Sequence, residues 1–159
     1  MKVHMLYRKQ RLAMTLEEAW QFLSTPHNLQ HTTPDFLHFR IISPVPEEIH
    51  PGLIVAYRIA AVAGIPMTWV TEIKYVERYA QFVDEQRVGP FRFWYHLHRF
   101  RPSECGVDIE DVVYYVMPWG WLGDWIHRYF IARRLQRIFD FRQDYLDHRF
   151  NRGEQPWPA

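Results

Sequence analysis

The chain has 159 residues, 48% of them hydrophobic and 17% aromatic, and a formal net charge of +1 at pH 7. That apolar content excludes disorder over the whole chain, and the near-neutral charge supplies no electrostatic case for a nucleic-acid partner. A single cysteine, Cys105, excludes an internal disulfide and fits a reducing compartment.

Residues 3 to 13 alternate loosely between polar and apolar and predict a first strand. The stretch from Met1 to Lys9 holds no long apolar run, and no segment approaches the length of a membrane span, so a cytoplasmic location is expected. Thr15 followed by Glu18 is a capping-box pattern, opening a short helix whose apolar positions are Ala19, Trp20, Phe22 and Leu23. Pro26 stops that helix, and His27 to His31 can add one further turn. Phe39 to Ile42 reads as a short strand, and Pro44, Pro46 and Pro51-Gly52 punctuate the loop after it. Ile54 to Val62 and Met67 to Val76 alternate on either side of a turn at Gly64-Ile65-Pro66. Phe82 to Arg87, Arg92 to Phe100 and Val107 to Val116 complete a run of strands with short turns, the pattern of an antiparallel meander. Cys105 falls in the turn Pro102 to Gly106, a poor setting for a nucleophile, which needs a base beside it.

The strand from Arg92 to Phe100 carries the most chemistry. Alternation sends Arg92, Trp94, His96, His98 and Phe100 to one face and Phe93, Tyr95, Leu97 and Arg99 to the other. A plain core strand has no need of two imidazoles, because buried polar groups are costly without partners. The pattern suggests the wall of a cavity that binds something partly apolar and partly polar.

Beyond Pro118-Trp119-Gly120 the periodicity becomes helical. Leu122 to Phe150 contains no Gly or Pro after Gly123, and Leu122, Trp125, Ile126, Tyr129, Leu135, Ile138, Phe139, Tyr145 and Leu146 can form one broad stripe. Arg133, Arg137 and Arg149 would lie opposite, and Gly153 would end the helix. Trp119, Trp121 and Trp125 are expected to pack in the core; docking through this region, as a transient membrane-surface contact or onto a protein partner, is the alternative. Asp124, Asp140, Asp144 and Asp147 interrupt the basic field, which argues again against nucleic acid. The expected fold is α+β: one domain over residues 1–152 and a tail over 153–159, with the last helix lying across the concave face of the sheet.

This order, together with several local strings, resembles the START-like or SRPBCC superfamily with its helix-grip fold. The strings are Thr15 to Leu23, Asp84-Glu85-Gln86, Gly89-Pro90-Phe91, Trp94 to Phe100, Asp111 to Pro118 and Arg137-Ile138-Phe139. They are similar to a bacterial branch of polyketide cyclase/dehydrase-like proteins related to the coenzyme Q-binding START domains. The resemblance implies a curved seven-stranded antiparallel sheet gripping the last helix, with an elongated apolar cavity between them. It places Trp69, Thr71, Ile73 and Tyr75 on the inward face of one strand. Trp94, His96, His98 and Phe100 share that face on another, and Ile109, Asp111, Val113 and Tyr115 on the last. A one-residue slip would reverse every such assignment.

The expected function is binding of a hydrophobic small molecule, such as a lipid, isoprenoid or polyketide. Trp69, Tyr75, Trp94, Phe100 and Tyr115 would supply apolar contacts, while Arg92, His96, His98 and Asp111 would meet a polar head. The histidines admit other roles: purely structural, with Asp111 and a tyrosine or carbonyl as partners, or acid–base work in a cyclase or dehydratase through His96 or His98 with Asp111. A catalytic metal site typically needs three protein ligands; Asp111 is the nearest third candidate, but the glutamate spacing expected after His96-x-His98 is absent and Glu104 falls in the turn, so no metal is expected. Phosphate-binding glycine loops and paired zinc cysteines are absent from the sequence, and no cofactor is expected.

Overall fold

A computed structural model describes residues 2–62 and 64–153. Their seven strands form one antiparallel sheet of order β1-β7-β6-β5-β4-β3-β2. The strands are β1 (His4–Leu12), β2 (Arg40–Ile41), β3 (Ile54–Val62), β4 (Ile65–Glu77), β5 (Gln81–Val88), β6 (Phe93–Ser103) and β7 (Gly106–Val116). Helix α1 spans Leu16–Ser24, and short 3-10 turns follow at Pro26–Gln30 and Asp35–Leu37. A helical segment closes the chain as α2 (Gly120–Ile126), a π-turn (His127–Ile131) and α3 (Ala132–Phe150). The helix-grip architecture expected from the sequence is therefore present: a curved sheet with a long helix packed over one face. The tail residues 154–159 lie outside the described residues.

Local chemistry accounts for the element boundaries. The Glu18 backbone N–H donates to Thr15 Oγ1 at 3.2 Å, and the Thr15 backbone N–H donates to Glu18 Oε2 at 2.8 Å, so the capping box satisfies two donors at the start of α1. Gly106 ends the β6–β7 turn at φ +132°, where a Cβ would stand 2.0 Å from the Leu12 carbonyl oxygen. Only glycine lets β1 and the turn approach so closely.

Two apolar clusters hold the sheet to its helices. The larger joins Val55, Trp69, Trp94 and Val113 of the sheet to Leu135 and Phe139 of α3. The smaller sits under α1, where Trp20 packs edge-on against Phe82 and Phe100, with Leu12, Ile109 and Leu146 around them. On the outer face of the sheet, Asp108 is bridged by Lys9 at 3.0 Å and Arg11 at 2.7 Å, and Arg99 lies 3.4 Å from Glu110.

The fold departs from three of the expectations drawn from the sequence. The pairing of β4 with β5 slips between Ile73 and Tyr75. A bulge of this kind inserts one residue and reverses the faces beyond it. Tyr75 therefore projects outward, 48% exposed, with its hydroxyl donating to Glu77. The helical stripe also breaks. The Ala132 N–H reaches back to the His127 carbonyl, five residues earlier, and this π-turn shifts the helical phase. Leu135, Ile138, Phe139 and Leu146 keep the inward face, whereas Leu122, Trp125 and Tyr129 are exposed. Trp119 and Trp121 are exposed as well, at 72% and 81%, rather than packed in the core. Trp119 and Gly120 both adopt left-handed φ values, +64° and +54°, as the chain reverses from β7 into α2.

Candidate functional site

A cavity of about 210 Å³ lies between the sheet and α3, with residues 24–33 along one side. Ile131, Leu135, Phe139 and Arg142 face it from the helical segment at the spacing of a single helical stripe. Val55, Tyr57, Trp69 and Trp94 form the apolar wall from β3, β4 and β6. Trp69 and Trp94 meet edge to face with ring centroids 5.3 Å apart, and Phe91 packs against both. The Tyr57 hydroxyl and Thr71 Oγ1 form a buried hydrogen bond of 2.9 Å, which satisfies two polar groups within the apolar wall. Burial raises the Tyr57 pKa far above its ordinary value, so the phenol stays neutral.

A cluster of ionisable groups borders the cavity, built on three adjacent strands. The sheet places Asp84 of β5 opposite His96 of β6, and His98 opposite Asp111 of β7. The side chains cross these pairings. His96 Nε2 lies 2.9 Å from Asp111 Oδ1, and His98 Nε2 lies 2.8 Å from Asp84 Oδ2. The remaining ring nitrogens also face carboxylates: His98 Nδ1 is 3.1 Å from Asp111, and His96 Nδ1 is 3.5 Å from Asp84. The two imidazoles lie 3.7 Å apart, between Phe82, which stacks on His98 at 4.1 Å, and Phe139, edge-on to His96 at 5.6 Å. Arg142 reaches in from α3 and places Nε 3.3 Å from Asp111 Oδ2.

These buried groups perturb one another. Burial, and then the charge of His98, lowers the pKa of His96. Burial acts in the same direction on His98 but is outweighed by Asp111 and Asp84, so its pKa is raised. Burial disfavours the Asp111 carboxylate; the Arg142 guanidinium and the two histidines reverse that and hold its pKa well below the usual range. Among the described residues, Asp84, His96 and His98 can each offer a metal one ligand atom, these atoms lying within 4.8 Å of one another.

Of the residues expected from the sequence, Trp69, Trp94, His96 and His98 line the cavity. Asp111 stands behind the histidines as their partner and is not part of the lining. Phe100 is buried on the same face of β6 but does not line the cavity, because α1 docks over that end of the strand and Trp20 packs 5.2 Å from its ring. Tyr115 is likewise buried outside the lining, its hydroxyl 2.8 Å from His127 Nε2; burial pushes its pKa up to about 12. Arg92 is exposed: β6 begins one residue later, and the Arg92 backbone N–H ends the ladder on the Val116 carbonyl. Tyr75 is outside the cavity for the reason given above.

Asp84, Tyr57 and Arg142 lie in the cavity although sequence reasoning did not select them. Two of the three leave a trace in the sequence. Arg142 falls in phase with Leu135, Phe139 and Leu146, so a charged group interrupts the buried stripe. Asp84 shares a strand face with Phe82. Tyr57 carries no comparable signal.

Among the described residues, no helix is long and apolar enough to cross a membrane. No protein-family model matches the chain, and no curated protein matches it. Solved structures do. Protein CV1439 from Chromobacterium violaceum superposes with a TM-score of 0.70 at 10% identity, covering 92% of this chain and 96% of that one. TTHA0849 from Thermus thermophilus gives 0.65 at 13% identity, over 92% and 96% of the two chains. Ara h 8.0201 gives 0.62 at 12% identity, over 91% and 98%. At these identities the likeness is one of fold: the chain shares the helix-grip-like α+β architecture of these proteins.

Proposed function

We propose that the protein binds a hydrophobic small molecule of the lipid, isoprenoid or polyketide kind between the sheet and α3. The supporting observation is the cavity itself, about 210 Å³, lined largely by aromatic and aliphatic side chains, with an ionisable cluster at Asp84, His96, His98 and Arg142. That combination suits an apolar body with one polar end. The guanidinium of Arg142 is buried beside a single carboxylate and has donors to spare for an oxygen acceptor. The START-like resemblance of the sequence points the same way. Native mass spectrometry of the purified protein, followed by organic extraction, tests this reading. A bound apolar molecule is expected. An adduct-free protein that also fails to take up an apolar solvatochromic dye overturns it.

A second reading, contact with an anionic bilayer surface, is favoured by the exposed aromatic face of the helical segment. Trp119, Trp121, Trp125 and Phe130 are exposed together, and the exposed side chains of Arg128 and Arg133 flank them. Indoles beside guanidinium groups suit the headgroup region of such a membrane. Flotation with anionic liposomes should recover the wild type and lose Trp121→Ala. Equal absence of both from the floated fraction removes this reading.

A further inference from the structure

The polar region of the cavity has a directionality that ligand binding alone does not require. Asp84 Oδ2 faces His98 Nε2 at 2.8 Å and His96 Nδ1 at 3.5 Å. The opposite nitrogens of the same rings face one oxygen of Asp111, at 2.9 Å for His96 Nε2 and 3.1 Å for His98 Nδ1. An ionised carboxylate accepts and cannot donate, so His96 donates its Nε2–H to Asp111 and keeps a lone pair on Nδ1, whereas His98 hydrogen-bonds Asp84 through Nε2 and its Nδ1 lies out of line for a hydrogen bond to Asp111. The His96 Nδ1 lone pair is therefore aimed at the Asp84 carboxylate, with His98 Nε2 beside it. That lone pair and the carboxylate repel unless a cation stands between them.

A proton on His98 satisfies the short Asp84–His98 contact but leaves His96 Nδ1 and Asp84 at 3.5 Å, beyond a direct hydrogen bond. A metal held by Asp84 Oδ2, His96 Nδ1 and His98 Nε2 would satisfy all three atoms. Bonds of about 2.0–2.2 Å in tetrahedral geometry separate ligand atoms by roughly 3.4 Å. The His96–Asp84 separation already fits, and the His98–Asp84 contact needs to open by about half an ångström. The surroundings fit as well: imidazole ligands of metals commonly donate their other N–H to a carboxylate, here Asp111, which Arg142 braces from α3 at 3.3 Å.

We propose that Asp84 Oδ2, His96 Nδ1 and His98 Nε2 form a binding site for a divalent first-row transition metal ion, with its open coordination positions turned into the cavity. Two imidazoles and one carboxylate form the donor set that zinc and iron(II) accept in sites that keep room for a further ligand. The three residues line the cavity, whereas Asp111 does not, so the open positions face the bound molecule. A dication among two carboxylates and Arg142 leaves one net positive charge. A monoanionic oxygen donor, such as an enolate, phenolate or carboxylate, balances it.

The site stands on side-chain geometry and does not depend on the ligand-binding reading, so metal alone tests it. Chelator-treated full-length protein would be titrated with Co(II) followed by visible absorption, and with Zn(II) followed by ¹⁵N imidazole spectra and by metal analysis after dialysis. The expected result is one metal per chain, the ¹⁵N signals moving at His96 Nδ1 and His98 Nε2. Asp111→Asn should weaken affinity by about 10- to 100-fold and Asp84→Asn by at least as much. Unmoved His96 and His98 signals in the wild type would place any bound metal on other histidines and overturn the proposal. The spectra decide the matter even where a variant fails to fold. A doubly protonated His98 that persists in excess Zn(II) at neutral pH overturns it as well.

Discussion

Asp84 hydrogen-bonds His98 at 2.8 Å although the sheet pairs it with His96. Asp111 does the converse, facing His98 across the ladder while lying 2.9 Å from His96 Nε2. The crossed pattern ties three strands together through side chains, and Arg142 extends it to α3.

The two carboxylates differ in what their loss leaves behind. Asp111→Asn leaves the buried Arg142 without its carboxylate and removes the acceptor that faces both histidines. It should cost about 3–5 kcal/mol, as expected when one partner of a buried ion pair is removed. Asp84 borders the cavity, so Asp84→Asn should cost only about 1–3 kcal/mol, the range of one hydrogen bond to a charged group. Urea unfolding of the two variants checks the order; equal losses would count against the asymmetric role of Arg142.

Filling the cavity should separate binding from folding. Leu135 lies on the stripe of α3 that faces it. Leu135→Trp places an indole there at an overpacking cost of about 1–3 kcal/mol. Uptake of an apolar dye should fall at least tenfold while the far-ultraviolet circular dichroism is retained. Unchanged uptake would locate the dye elsewhere.

Phe100 provides the opposite control. It is buried in the cluster beneath α1 and does not line the cavity. Phe100→Ala should destabilise by about 3–5 kcal/mol, the usual cost of emptying an aromatic core position. Dye affinity, measured well below the lowered melting temperature, should not change. A large loss of affinity would bring Phe100 back to the ligand.

The outer face predicts an acid response. Hydrogen bonds from Arg11 and Lys9 lower the Asp108 pKa from 3.8 to about 2. A carboxylate whose pKa is depressed by folding stabilises the folded state above its unfolded pKa, and that contribution is lost as pH falls through the folded value. Stability from Asp108 should therefore be complete above about pH 4 and disappear between there and about pH 2. Asp108→Asn should be less stable than wild type at neutral pH, and the difference should close across that window. Denaturant midpoints measured from pH 5 to pH 2 would show this; a constant difference would argue against it.

Local patterns in the sequence determined a good deal. The Thr15–Glu18 box, the alternation of β1, β3, β6 and β7, and the apolar phase of α3 depend on neighbours a few residues apart. Chain order, together with the resemblance of local strings to START-like proteins, implied the helix-grip arrangement, and alternation alone set Trp94, His96 and His98 on one face of β6. Tertiary structure decided the rest. Tyr75 left the inward face because of a bulge that depends on the pairing of β4 with β5, and the π-turn at His127–Ile131 carried Trp125 and Tyr129 outward. Phe100 was claimed by α1, a helix some eighty residues away in the chain. The partners of the histidines come from β5, β7 and α3, and no spacing rule links Asp84, Asp111 and Arg142 to one another. Periodicity reports which face a side chain takes within one element; which groups meet across that face depends on register, bulges and docking, which arise only when the elements pack together.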